Sequence, residues 1–330
     1  MSESDWHSII FDSTIPFADR TQLVLDYQLQ KNEIYHDFAA VFGVEKHAKY
    51  TSGEIPLLPI RAFRLGELFT SHSKPELEFK SSGTSDMLRS THFVADPILY
   101  QKASATEFCR HFPLEKYAVL FCLPGYAENR YSSLIWMADY LMSLDESGLS
   151  GYYKNKIEAD IWIEYVHNAA KKPLLFGAAF GLLDLIDDGT AFNIKDLDII
   201  ETGGMKTHRR EVSKSELRIK LCKGFEIEDQ HIHSEYGMCE LLSQMYAIGS
   251  EWFTSPHWVN VTVRKADNPD ELCAPGEEGI IGIIDLANVY SCPFILTEDK
   301  GVMNKKGEFK VLGRWNADDL RGCNFLIDRD

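Results

Sequence analysis

What this sequence lacks narrows what it can do. No apolar stretch approaches the roughly 20 residues that a spanning helix needs, and the opening MSESDWHSII is acidic where a signal peptide would be basic. No membrane span and a cytoplasmic location are therefore expected. Positive charge is scarce: 34 Lys and Arg stand against 50 Asp and Glu, a net charge of −16. Such a chain disfavours non-specific binding to nucleic acid or to an anionic membrane, so an anionic ligand has to be held by a local basic site. The seven cysteines are odd in number, widely spaced and never arranged as C-x-x-C, which points away from a disulfide framework or a zinc knuckle. There is no internal repeat, no low-complexity linker and no G-x-x-x-x-G-K-[ST] phosphate loop.

What is present is enough apolar material, 45% of 330 residues, to bury a sizeable core. Helical periodicity over residues 14 to 48 predicts two helices, and TSGEIPLLPI, with two prolines and a glycine, predicts an extended crossing segment. Asp96-Pro97 predicts a helix start, with the helix running to about 112. KYAVLFCLP is a continuous apolar run closed by Pro124-Gly125, the pattern of a strand buried on both faces, and SSLIWMADYLMSLD then reads as a helix. KPLLFGAAFGLLDLIDDG repeats strand and helix, and LDIIETGG is another strand running into a glycine loop. Such units argue for an α/β layered domain of largely parallel strands, with ligand loops at their carboxyl ends. After residue 256 the texture becomes short β-rich segments between turns: WVNVTVRKA, EGIIGIIDLA, CPFILTED and GEFKVLGRW. The expected organisation is an α/β core over 1–255 and a β-rich subdomain over 256–330.

Several short stretches have both a bland and a chemical reading. Ser81-Ser82-Gly83-Thr84-Ser85 is an ordinary turn by composition. It is also a loop whose glycine admits a ligand close to the backbone, whose N–H groups and hydroxyls converge on phosphate, and to which Arg89 adds charge. Thr202-Gly203-Gly204-Met205-Lys206 follows a buried strand and leads into a basic stretch containing Arg209, Arg210, Lys214, Arg218, Lys220 and Lys223. Ser213-x-x-Glu216 fits a capping box for a helix running to Gly224, whose terminal lysines suit its dipole. In HIHSEYGMCELLSQMYA, Tyr236-Gly237 reads as a turn and Glu240 as the start of an apolar helical run. A buried aromatic beside a glycine suits stacking on a planar base, and a carboxylate beyond it suits Mg²⁺ on a triphosphate. His231 and His233 share a strand face without a third nitrogen or sulfur ligand, so a structural role is favoured. Asp299 in TEDKG and Arg314 in LGRWNADDLRGC read either as solvated hairpin charges or as partners of ribose hydroxyls and phosphate.

In this order and at these intervals, KSSGTSDMLRS, LPGYAENRYSSLIWMADYL, ETGGMKTHRREVSKSEL, SEYGMCELLSQMY, FILTEDKG and VLGRWNADDLRGC, spanning residues 80 to 323, resemble the acyl-adenylate-forming (ANL) superfamily. The resemblance is greatest to its acyl-protein synthetase (LuxE-type) branch. It implies the layered large domain of an adenylate-forming enzyme with a small β-rich subdomain. The implied reaction activates a carboxylic acid, fatty or aryl, with ATP and Mg²⁺ to acyl-AMP, followed by acyl transfer to a protein thiol. Carried over residue by residue, Ser81, Ser82, Gly83, Thr84 and Ser85 wrap the β- and γ-phosphates, with Gly203, Gly204 and Lys206 in the second glycine loop. Tyr236 stacks on adenine beside Gly237, Glu240 holds Mg²⁺, and Asp299 and Arg314 bind ribose. The acid is expected near the loop Gly125 to Arg130 and the helix bearing Leu134, Trp136 and Met137.

This chain departs from the superfamily pattern in two ways. The loop lysine is replaced by Asp86-Met87-Leu88-Arg89, leaving Arg89 as the substitute cation, and only 16 residues follow Arg314, so the mobile C-terminal lid is expected to be absent, as in the LuxE-type branch. That branch holds the acyl group on a cysteine near the C-terminus. Cys323, beside Arg321, is the cysteine so placed, whereas Cys239 reads as a packing residue. The resemblance also implies partner acyltransferases and reductases. The alternatives are transfer to coenzyme A or an acyl carrier protein, and a non-catalytic acyl- or nucleotide-binding module.

Overall fold

A computed structural model describes residues 6–65, 67–70, 75–81, 89–124, 129–192, 194, 196–203 and 213–315. The chain forms two compact units. One contains Met1–Tyr100, Glu240–Ser243 and Thr254–Asp330, the other Gln101–Cys239 and Gln244–Phe253. The residues before 100 thus share a unit with the β-rich segment, where the sequence grouped them with the α/β core. The strand Leu58–Pro59 gives one reason, since it pairs in parallel with the Phe294–Met303 strand at Leu58↔Ile295.

The second unit is built on a six-stranded sheet in the spatial order Gly151–Tyr152, Tyr117–Cys122, Lys172–Ala178, Asp198–Thr202, Ile232–Tyr236 and Met245–Ala247. All neighbours are parallel except the last pair, which is antiparallel. The apolar runs become strands because both faces are covered: Leu175, Ile199 and Ile232 are fully buried in one core with Leu182, Leu217, Leu221 and Phe225 from the helices Ala179–Asp187 and Lys214–Phe225. Emptying one such position, as in Leu182→Ala, costs about 2–5 kcal/mol. Gly181 is required for this packing, because a Cβ there would lie 2.7 Å from Pro124 at the end of the neighbouring strand.

Local signals set the helix ends. Ser132 and Ser213 accept the amides of Ile135 and Glu216 at 3.3 and 3.1 Å, each opening a helix as the sequence suggests. The second of these helices does not stop at Gly224. It continues to Phe225 and closes on Glu226 in the left-handed region at φ 54°. Gly224 lies inside the helix, where a Cβ would strike the Ile186 side chain.

In the first unit, helices Phe17–Lys31 and Glu33–Val41 appear as expected. Strands Val259–Arg264, Glu278–Asp285 and Phe294–Met303 form an antiparallel sheet, extended by Phe309–Arg314. A separate antiparallel pair, Leu77–Lys80 with Thr91–Val94, has Lys80 opposite Thr91, so Ser81 and Ser90 follow as the next positions. The helical run expected from Glu240 does not form: residues 237–244 are irregular, and Met245–Ala247 is a strand. Among the described residues, no helix is long and apolar enough to cross a membrane.

Candidate functional site

The sequence-predicted residues fall into both units, and each unit is described by itself. In the first unit, Glu240 is 6% exposed. Its backbone is fixed by the turn after the Glu278–Asp285 strand: Asn288 Nδ2 donates to the Glu240 carbonyl at 2.8 Å. Asp285 Oδ2 accepts the Leu242 and Ser243 amides, each at 3.0 Å, which ties those amides to a side chain in place of a helical turn. Burial raises the Glu240 carboxyl above its ordinary value, with the Ser90 side chain and the charges of Arg314 and Arg64 opposing the shift.

Ser90 also meets Ser81. The Ser81 amide donates to the Ser90 carbonyl at 3.0 Å, and the Ser90 amide donates to Ser81 Oγ at 3.0 Å. These bonds close the antiparallel pair where the serine- and glycine-rich stretch leaves it and returns. Arg89, exposed, is the neighbour of Ser90. Asp299 and Arg314 are cross-strand partners, with Arg314 Nε 3.4 Å from Asp299 Oδ1. Arg314 is two-thirds exposed and Asp299 largely buried, so a cation and an acceptor are presented side by side at the sheet surface. The first unit therefore gathers Glu240, Arg314, Asp299 and Ser81. It adds Arg64 and Ser90, which the sequence did not single out; neither lies in a motif, and their meaning comes from proximity to a residue far along the chain.

In the second unit, the carboxyl ends of two parallel neighbours carry the other predicted residues. Gly203 follows the Asp198–Thr202 strand with φ +75°, a backbone region that favours glycine. Beside it, the Thr202 hydroxyl donates to the Glu235 carboxylate. Burial pushes the Glu235 carboxyl up to about 7, with Glu201 adding repulsion while Thr202 and Lys214 oppose the shift. Lys214 Nζ donates to both Glu201 oxygens, at 2.5 and 2.7 Å. Tyr236 is 9% exposed, its ring edge-on to Phe253 at 5.9 Å. Gly237 is held by sterics, because a Cβ there would run into the Glu235 carboxylate.

At the opposite, amino end of the same strand, Asp198 accepts from Lys172 Nζ and His231 Nδ1 at 2.6 Å each and from the Tyr117 hydroxyl at 3.1 Å. His233 also lies 3.8 Å from it, so both histidines face a carboxylate that holds the sheet together. Met137 is buried in the helix Ser133–Leu144, Trp136 stacks on Tyr140, and the Arg130 guanidinium lies 4.7 Å over the Tyr131 ring. Ser82, Gly83, Thr84, Ser85, Gly204, Lys206 and Cys323 lie outside the described residues. Cys239 is half-buried.

Among the described residues no three His, Cys, Asp or Glu side chains converge as a metal cage. A lone buried carboxylate suits Mg²⁺, which takes one or two protein carboxylates and completes its shell with phosphate oxygens and water. Glu240 fits that description.

The family model for acyl-protein synthetase, LuxE, matches residues 163–330 of the 330-residue chain. No curated protein matches it. Among solved structures, the chain is similar to an open conformation of 2-hydroxyisobutyryl-CoA ligase in complex with 2-HIB-AMP and CoA, with TM-score 0.64 and 10% identity over 90% of this chain and 69% of that one. Against the same ligase in the postadenylation state the TM-score is 0.67, with 11% identity over 92% of this chain and 67% of that one. ATP-bound MatB from Rhodopseudomonas palustris gives 0.53, with 14% identity over 74% of this chain and half of the other. At such identities the likeness is one of fold, and the α/β class expected from the sequence is the class found.

Proposed function

That this chain belongs to the acyl-protein synthetase (LuxE) family of AMP-forming ligases is the premise from which we propose its reaction: ATP-dependent activation of a carboxylic acid, fatty or aryl, followed by acyl transfer to a protein cysteine, Cys323. In the first step a carboxylate oxygen of the acid attacks the α-phosphorus of ATP, the Pα–O bond to the β-phosphate breaks, and pyrophosphate leaves. In the second the cysteine thiolate attacks the acyl carbonyl and AMP departs. The first step brings two anions together, so neutralisation and in-line positioning matter more than a general base.

The observation that carries this reading is the setting of Glu240: a buried carboxylate on a backbone held by Asn288 and Asp285, with the charges of Arg64 and Arg314 acting on it. In this role Glu240 holds Mg²⁺, which neutralises triphosphate charge when bound. Arg64 and Arg314 face the anionic substrate, and Asp299 accepts from ribose hydroxyls. The phosphate role of Ser81 to Ser85 and Arg89 is proposed on the family resemblance. So are the roles of Tyr236 and Gly237 at the base, and of Gly203, Gly204 and Lys206 in the second glycine loop.

The test is acid-dependent exchange of labelled pyrophosphate into ATP across a panel of fatty and aryl acids, read together with intact mass. Exchange with some acid, and an acyl mass adduct that disappears in Cys323→Ser, support the whole reading. Exchange with no adduct moves the acceptor to coenzyme A or an acyl carrier protein, the reading favoured by the fold shared with CoA ligases. Silence across the panel with Mg²⁺ present removes the adenylation proposal.

A further inference from the structure

The connection between the last two strands of the six-stranded sheet brings two buried polar side chains together. Tyr236 pairs with Met245, so Gly237 and Gln244 are the first residues beyond that pair, at the carboxyl end of Ile232–Tyr236. A Cβ on Gly237 would lie 3.4 Å from Gln244 Cγ and would run into Glu235 Oε1, so both side chains reach one point. Gln244 is 4% exposed and Glu235 5%. Glu235 has a partner in the Thr202 hydroxyl. Among the described residues, Gln244 Oε1 has none. A buried acceptor without a donor costs free energy, and native folds keep such groups where a ligand or an ordered water completes them.

Strand alternation separates the candidate ligands. Ile199 and Ile232 pack on the helices Ala179–Asp187 and Lys214–Phe225, so Thr202 and Glu235, each three residues further on, face the other side of the sheet. Tyr246, opposite Glu235, has its ring against Phe108 and Phe112 on that side, and Gln244 meets Glu235 there. Connections between parallel strands are right-handed. The helix Ser133–Leu144 steps from Tyr117–Cys122 to Gly151–Tyr152, opposite in direction to the other two helices, so it lies on the Glu235 side. That helix carries Trp136 and Met137, where the acid is expected. Tyr236, expected at the base, is four residues beyond Ile232 and faces the opposite side.

We propose that Gln244 is a specificity-determining residue for the acid: its Oε1 accepts a hydrogen bond from a hydroxyl that the acid carries away from its carboxylate. The substrate class is then a hydroxy acid. An unsubstituted acid is the poorer substrate, because it displaces water from the buried acceptor and offers no donor in return. A site built to receive a donor discriminates steeply against the analogue that lacks it. Burial raises the Glu235 carboxyl to about 7, so below that pH the neighbour of Gln244 is neutral and an anionic acid meets no like charge from it.

The inference rests on the adenylation reading given above, and pyrophosphate exchange separates the two. The full-length protein is assayed with pairs of acids that differ by one hydroxyl, placed in turn along a fatty chain and around a benzoate ring. At least one hydroxy acid is expected to exceed its parent by about tenfold in kcat/KM, the scale of one buried hydrogen bond. In Gln244→Leu that preference falls to about twofold or less, through loss on the hydroxy acid alone, while the KM for ATP stays within about twofold. Gln244→Met, unbranched and of similar length, gives the same comparison should the leucine variant fail to fold. The inference is overturned if the wild type prefers no hydroxy acid to its parent. It is equally overturned if the variant lowers both members of a pair by the same factor, which marks a structural glutamine or one held by an internal water. A preserved ratio with a raised KM for ATP also overturns it, by moving Gln244 to the nucleotide. If no acid of either kind supports exchange, the adenylation reading itself falls and takes the inference with it.

Discussion

Ser243 donates to both oxygens of Asp285, its amide to Oδ2 at 3.0 Å and its hydroxyl to Oδ1 at 2.7 Å. With the amides of Leu242 and Ala287 on the same carboxylate, a fully buried acid receives four donors. Asp285→Asn replaces one acceptor oxygen by an amide that faces donors, so it is expected to cost about 2–4 kcal/mol in urea unfolding. Because the same bonds hold the backbone beyond Glu240, exchange activity should fall more than the folded fraction does. Exchange that follows the folded fraction alone would separate Asp285 from the site.

That pair also explains why part of the chain was legible in the sequence and part was not. The runs Tyr117–Cys122 and Lys172–Ala178 announce themselves because a strand buried on both faces must be apolar throughout, and Ser132 and Ser213 cap helices by purely local bonds. ELLSQMYA has helical propensity and apolar spacing, yet the Asp285 carboxylate takes two of its amides and Met245–Ala247 joins a sheet edge. Tertiary bonding overrides propensity there. Glu240, Asp299 and Arg314 were legible through the motifs that carry them. Arg64 and Ser90 were not, since an arginine and a serine are ordinary surface residues until the fold brings Glu240 beside them.

Glu235 gives the stability a pH dependence. Its carboxyl is pushed up to about 7 by burial beside Glu201, Thr202 and Lys214. An acid whose folded pKa lies above its unfolded value binds a proton more readily in the folded state. Its contribution is therefore complete below the unfolded pKa near 4.5 and is lost as pH rises through about 7. Thermal unfolding should show higher stability near pH 5.5 than near pH 8, by roughly 1–3 kcal/mol from this group. Glu235→Gln should flatten that step; a step of undiminished size in the variant would assign the pH dependence elsewhere.

Asp198 works in the other direction. Burial pushes its carboxyl up, but His233, Lys172 and His231 outweigh it and hold the group well below the usual range, so its stabilisation is present above the unfolded pKa and is lost in strong acid. Asp198→Asn leaves the Lys172 ammonium at a half-buried position without its counter-charge and should destabilise the protein by about 3–5 kcal/mol. The cluster sits at the amino end of the Asp198–Thr202 strand, away from the Gly203 loop, so nucleotide affinity of the folded fraction should stay within about twofold. A selective loss of affinity would make the cluster part of the binding machinery.

The cation that replaces the loop lysine is the remaining choice, and charge placement distinguishes the candidates. Arg89 follows the motif and is exposed at the neck, whereas Arg64 and Arg314 are the cations whose fields reach the buried Glu240 carboxylate. On the proposed role of Glu240, a triphosphate lies close to these guanidinium groups, and a charge-assisted bond to phosphate in a partly buried setting contributes more than one made in open solvent. Arg64→Ala is therefore expected to raise the KM for ATP in pyrophosphate exchange about tenfold, with partial recovery in Arg64→Lys, because a point charge replaces part of a bidentate fork. Arg314→Ala should act similarly and also release Asp299 from its cross-strand partner. Arg89→Ala should have the smaller effect, and a loss confined to Arg89→Ala, with Arg64→Ala silent, would return the phosphate grip to the loop that the sequence motif marks.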